Sequence, residues 1–68
     1  MLKLGKYQHY KGGVYEVLGV AHYSEDEIEM VVYKDLYGDG QLWVRPLAIF
    51  LEEVEIDGVL KPRFTYLD

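Results

Sequence analysis

The stretch YGDGQLWVRP, Tyr37 to Pro46, decides how this chain folds. Asp39-Gly40 is a hairpin signal, because glycine accepts the positive φ that closes a tight antiparallel turn. Pro46 ends the strand that follows, since it has no N–H to give to a ladder. Between them successive side chains alternate, so Trp43, the only tryptophan, shares a face with Arg45, while Leu42 and Val44 take the other. A three-residue loop, Gly38-Asp39-Gly40, closed by a glycine bulge sets Tyr37 opposite Gln41, Asp35 opposite Trp43 and Tyr33 opposite Arg45. Glu29, Asp35, Gln41 and Arg45 mark that face as the outer one, because none is cheap to bury. Met30, Val32, Leu42 and Val44 are then expected in the core.

Outward from this hairpin the same pattern repeats: a short aromatic and β-branched run, then a turn signal. YQHY (Tyr7–Tyr10) precedes Lys11-Gly12-Gly13, VYEVLGVA (Val14–Ala21) precedes a polar connection, and IEMVVYKDLY (Ile28–Tyr37) enters the hairpin. LEEVEI (Leu51–Ile56) and PRFTYL (Pro62–Leu67) flank Asp57-Gly58, a second hairpin turn. No window keeps apolar residues at helical spacing for three turns. PLAIF is too short for a stable helix and is expected to form one 3-10 turn that drops Leu47 and Phe50 onto the core.

Five or six short strands in 68 residues cannot build a two-sheet sandwich of ordinary size. The expected fold is all-β: a single SH3-like barrel over residues 1–68, bent at Gly19 in its longest strand. Half the residues are hydrophobic and ten are aromatic, which argues against disorder. With no cysteine there is neither a disulfide staple nor a thiolate metal cluster, so packing alone must close the fold. A core of this size leaves about 3–5 kcal/mol of net stability.

One set of residues resembles a known family. Tyr7-x-His9-Tyr10-Lys11-Gly12, YEVLGVA (Tyr15–Ala21), VVY (Val31–Tyr33), LYGD (Leu36–Asp39), LWVRP (Leu42–Pro46) and Phe50 are similar to a pattern in small bacterial domains of unknown function, family 1653. The resemblance covers nearly the whole chain and implies no activity.

Function is sparsely marked. The net charge of −5 divides into +3 over residues 1–15, −9 over 16–57 and +1 over 58–68. No apolar run reaches the roughly 18 residues of a membrane span, and the N-terminal residues lack a secretion signal's apolar stretch. A cytoplasmic protein without membrane contact is therefore expected. Neither His9 nor His22 has a nucleophile or acid at a telling spacing, so no enzyme activity and no cofactor are expected. His22, Glu25 and Asp26 read as a solvated loop and not as metal ligands. Gly38-x-Gly40 lacks the lysine and helix of a phosphate loop. Glu52, Glu53 and Glu55 read as charges guarding a strand edge.

Two binding surfaces remain. Tyr33, Tyr37, Trp43 and Arg45 either cover the barrel or form a face for a protein or peptide, the residue types being those enriched in interface hot spots. Lys6, Tyr10, Lys11, Lys61 and Arg63, if the termini meet, could form a basic aromatic band for single-stranded nucleic acid. A non-catalytic module binding a peptide or protein is the favoured reading, and nucleic acid the alternative.

Overall fold

The computed structural model describes residues 2–68. Seven strands and one turn of helix follow in order: β1 (Gly5–His9), β2 (Val14–His22), β3 (Glu29–Asp35), β4 (Leu42–Pro46), α1 (Leu47–Phe50), β5 (Glu53–Ile56), β6 (Val59–Pro62) and β7 (Phe64–Tyr66). Five of them form an antiparallel sheet in the order β4-β3-β2-β1-β7, and β5 pairs with β6 in a second, two-stranded sheet. The all-β expectation holds, with two antiparallel sheets in place of a closed barrel. Expected as one closing strand, PRFTYL is divided at Arg63 between the end of β6 and the start of β7.

Local chemistry explains the elements. In β2 the ladder to β3 shifts between Val17 and Gly19, leaving Leu18 as a bulge beside the glycine expected to bend the strand. Gly38 and Gly40 have φ of +60° and +67°. These two left-handed glycines open a wider loop than the three-residue turn, so the Asp35 N–H donates to the Gln41 carbonyl at 3.0 Å. Tyr33 then faces Trp43 and Val31 faces Arg45, a register two residues away from the expected one. Because side chains alternate with period two, a shift of two keeps Tyr33, Asp35, Trp43 and Arg45 on a shared face. The residues after Pro46 make an α-type turn, with the Leu51 N–H donating to the Leu47 carbonyl at 3.0 Å, where a 3-10 turn was expected. It does carry Phe50 into the core, and Leu47 packs against it.

The direction of the hairpin's faces is the main correction. Val31 and Tyr33 are 0% and 4% exposed, whereas Leu42 and Val44 are 63% and 59% exposed. The supposed outer face lines the inside of the curled sheet. The core is Tyr7, Val17, Val31, Tyr33, Phe50 and Phe64, contributed by β1, β2, β3, β7 and α1. The charges misled because they sit at strand ends: Glu29 begins β3, Asp35 ends it and Arg45 is one residue from the end of β4. There a side chain on the inner face reaches the rim instead of the core. The middle of the face is closed by Phe50, whose ring stacks on Phe64 at 4.1 Å with 8° between planes and meets Tyr7 edge-on at 5.4 Å.

Removal of Phe50 tests this packing. Phe50→Ala is expected to lose about 3–5 kcal/mol, comparable to the whole net stability of about 3–5 kcal/mol, so circular dichroism at 25 °C should report a largely unfolded domain. Val44→Thr, on the exposed face, should change the unfolding free energy obtained from urea titration by no more than about 0.5 kcal/mol. The reverse ranking would place the core on the Leu42–Val44 side.

Candidate functional site

Alternation along β1 carries His9 to the same face as the buried Tyr7, and the β1–β7 pairing sets His9 against Phe64. The β1–β2 ladder pairs Tyr7 with Tyr15, and β3 and β4 supply Tyr33 and Arg45. His9, Tyr15, Tyr33, Arg45 and Phe64, together with Lys11 and Arg63, line a cleft of about 480 Å³. An adjoining hollow of about 180 Å³ shares Tyr15, Tyr33, Tyr37 and Arg45 and adds Asp35 and Trp43. The two form one groove: Lys11 and Arg63 lie only in the larger hollow, Asp35 and Trp43 only in the smaller, and Arg45 and Tyr37 line both.

Each cationic group is held by an identifiable contact. Arg45 places its guanidinium carbon 5.5 Å from the centre of the Phe64 ring, a cation–π contact. Glu52 grips Arg63 twice: its carboxylate takes the guanidinium Nη2 at 3.0 Å and its carbonyl accepts the Arg63 N–H at 3.0 Å. The Arg63 carbonyl accepts the Tyr10 N–H at 2.9 Å, tying the β6–β7 junction to the turn after β1. Arg63 Nε is buried and meets no acceptor among the described residues. The Lys11 ammonium lies 5.8 Å from the centre of the Tyr10 ring. The Lys11 backbone N–H donates to His9 Nδ1 at 3.1 Å, so neutral His9 carries its proton on Nε2.

The aromatic end is also fixed. Trp43 Nε1 donates to Asp35 Oδ1 at 3.0 Å, and the Tyr15 and Tyr37 hydroxyls lie 2.9 Å apart. That shared hydrogen bond, together with burial and the neighbouring Tyr37 and Asp35, pushes the Tyr15 phenol up to about 12, so it is uncharged at neutral pH. His9 is lowered from 6.5, first by burial and then by the charges of Arg45, Arg63 and Lys11. Three cations thus converge on one imidazole. Among the described residues, neither His9 nor His22 is hydrogen-bonded to a carboxylate, and no group of three His, Asp or Glu is placed to hold a metal ion.

The sequence-derived candidates are redistributed. Tyr33 is buried and forms the floor of the groove, which corrects its expected place on an exposed face. Tyr37 and Trp43 are 55% and 47% exposed at the rim, and Arg45 is half-buried between them and the cationic end. The terminal strands β1 and β7 do pair, so the two basic ends meet. They do not make one band. Tyr10, Lys11 and Arg63 line the same cleft as Tyr37 and Arg45. Lys6 alternates to the opposite face of β1 from Tyr7, and Lys61 borders a neighbouring hollow of about 290 Å³ that shares only His9 and Tyr10 with the cleft. The two rival candidate sets thus contribute to one site. His9, Tyr15, Glu52 and Phe64 complete it, and among these only the alternation of Tyr7 with His9 offered a signal in the sequence.

The His9 environment gives a titration test. Imidazole proton shifts should place the His9 midpoint below 6.5, and both Arg45→Gln and Lys11→Gln should move it upward by removing a repelling charge. Folded His9 binds its proton more weakly than the unfolded chain does, so this contribution to stability falls as pH drops below 6.5. A midpoint insensitive to both substitutions would show that the cations do not converge on it.

Comparison with known proteins yields two matches. A family model described as a protein of unknown function, DUF1653, matches residues 5–66. The chain is also similar to the crystal structure of a DUF1653 protein from Bordetella bronchiseptica, at 37% identity and a TM-score of 0.89, over 97% of this chain and 87% of that one. No curated protein matches it. The chain whose strands assemble this groove belongs to the DUF1653 family.

Proposed function

We propose that this domain is a non-catalytic binding module whose groove takes a peptide or protein segment with an acidic group. The observation that carries this reading is the convergence of Arg45, Arg63 and Lys11 at one end of a groove whose other end is Trp43, Tyr37 and Asp35. The ligand's acid would sit on the cations, where Arg45 offers a planar fork for two parallel hydrogen bonds. Its neighbouring apolar side chain would lie on the indole and phenol, which lose little entropy on contact. Asp35 would accept from a backbone N–H or a cationic side chain farther along.

The same distribution weighs against the nucleic-acid alternative. A single strand needs positive charge along a track, because its phosphates repeat. Here the cations meet at a point, Lys6 and Lys61 lie outside it, and Asp35 would repel a second phosphate. The curled sheet with its paired terminal strands supports an SH3-like relationship, with the groove on the concave side.

Panning a displayed random-peptide library against the domain tests the proposal. Enriched peptides should pair an acidic residue with an apolar or aromatic one, and Trp43→Ala or Arg45→Ala should weaken them by about tenfold or more. Peptides that bind both variants as well as the parent would contradict it. So would tight binding of single-stranded oligonucleotides that falls steeply with salt.

A further inference from the structure

We propose that the cationic end of the groove is a site for a phosphate monoester dianion carried by the bound peptide, an inference that rests on the reading above. Charge is the first argument. Arg45, Arg63 and Lys11 line this end and no Asp or Glu does. The one ion pair among the described residues is Arg63 with Glu52, which leaves two of the three cations without a counter-charge. A carboxylate would neutralise one of them, whereas a phosphate monoester, close to −2 above its second pKa of about 6, matches both.

Hydrogen-bonding capacity is the second argument. The buried Arg63 Nε–H has no acceptor among the described residues, and a buried unpartnered donor is costly to keep. Neutral His9 presents a further N–H at Nε2, because its Nδ1 accepts from the Lys11 backbone. The Arg45 guanidinium rests on Phe64 with its N–H groups free of ion pairs. These donors come from three separate chain segments: the end of β1, β4 and the β6–β7 junction. A tetrahedral oxyanion with three free oxygens accepts from directions that share no plane, whereas the lone-pair sites of a carboxylate are coplanar. Clusters of this kind are how folded domains read phosphorylated side chains.

The test uses the ¹⁵N-labelled domain at constant ionic strength and about pH 8, above the second pKa of a phosphate monoester (about 6) and of inorganic phosphate (about 7). Inorganic phosphate is compared with acetate, and N-acetyl-phosphoserine amide with N-acetyl-glutamate amide. The phosphate probes should shift the Arg63 Nε–H and the amides of residues 9–13 saturably, at concentrations about tenfold lower than the carboxylates need. Lys11→Gln alters an exposed turn residue and leaves the core intact, and it should erase most of that difference. An equal response to carboxylates would overturn the phosphate assignment and leave the peptide-binding reading standing. Adenosine monophosphate binding about tenfold tighter than acetyl-phosphoserine amide would overturn both, by showing that a nucleotide carries the phosphate. No saturable shift at Arg63 with any probe would overturn the site itself.

Discussion

The stacking of Phe50 on Phe64, 4.1 Å apart and 8° from parallel, is the contact on which the remaining structure depends. Phe50 reaches the core from α1, directly after β4 at one edge of the five-stranded sheet, and Phe64 begins β7 at the other edge. Joining the two rings therefore requires the sheet to curl, and the curl makes one face concave. Tyr7, Tyr33 and Tyr15 pack edge-on or tilted around the pair, which is the geometry that aromatic quadrupoles favour. Phe64 also lies beneath the guanidinium of Arg45. The core and the floor of the groove are thus made from the same rings, and a change in one is felt in the other.

That coupling explains how a small domain can carry an unfavourable site. Gathering Arg45, Arg63 and Lys11 around His9 costs electrostatic free energy, and the buried Arg63 Nε–H adds the cost of an unmet donor. Several features offset this locally: the Glu52 carboxylate and carbonyl on Arg63, the ring under Arg45, and a histidine held neutral. The proposed anion would relieve what remains and stabilise the folded state by mass action. Local strain of this kind concentrates where a protein meets its ligand.

Much of the architecture was legible in the chain. Glycine and proline signals located the hairpins, the alternation of apolar residues located the strands, and PLAIF read correctly as one turn that buries Phe50. What escaped had physical reasons. Alternation states which residues share a face but not which face is inside, and the polar ends Glu29, Asp35 and Arg45 outweighed Val31 and Tyr33 at the centre. Two left-handed glycines, Gly38 and Gly40, allow more than one loop length, so the register differed by two. The groove itself needs contacts between residues far apart in sequence: Arg63 with Glu52, Arg45 with Phe64, and His9 with Phe64. No local pattern announces these, and so the two half-sites appeared as competitors.

The proposed oxyanion site requires one cleft to gather the cations of the hairpin and of the termini. Anomalous diffraction from crystals soaked in tungstate, a tetrahedral dianion of high scattering power, tests it directly. A tungsten peak is expected between Arg45, Lys11 and the Arg63 guanidinium, present at more than one soak concentration and lost in Lys11→Gln. Peaks confined to Lys6, Lys61 or other surface lysines, with the cleft empty, would contradict it.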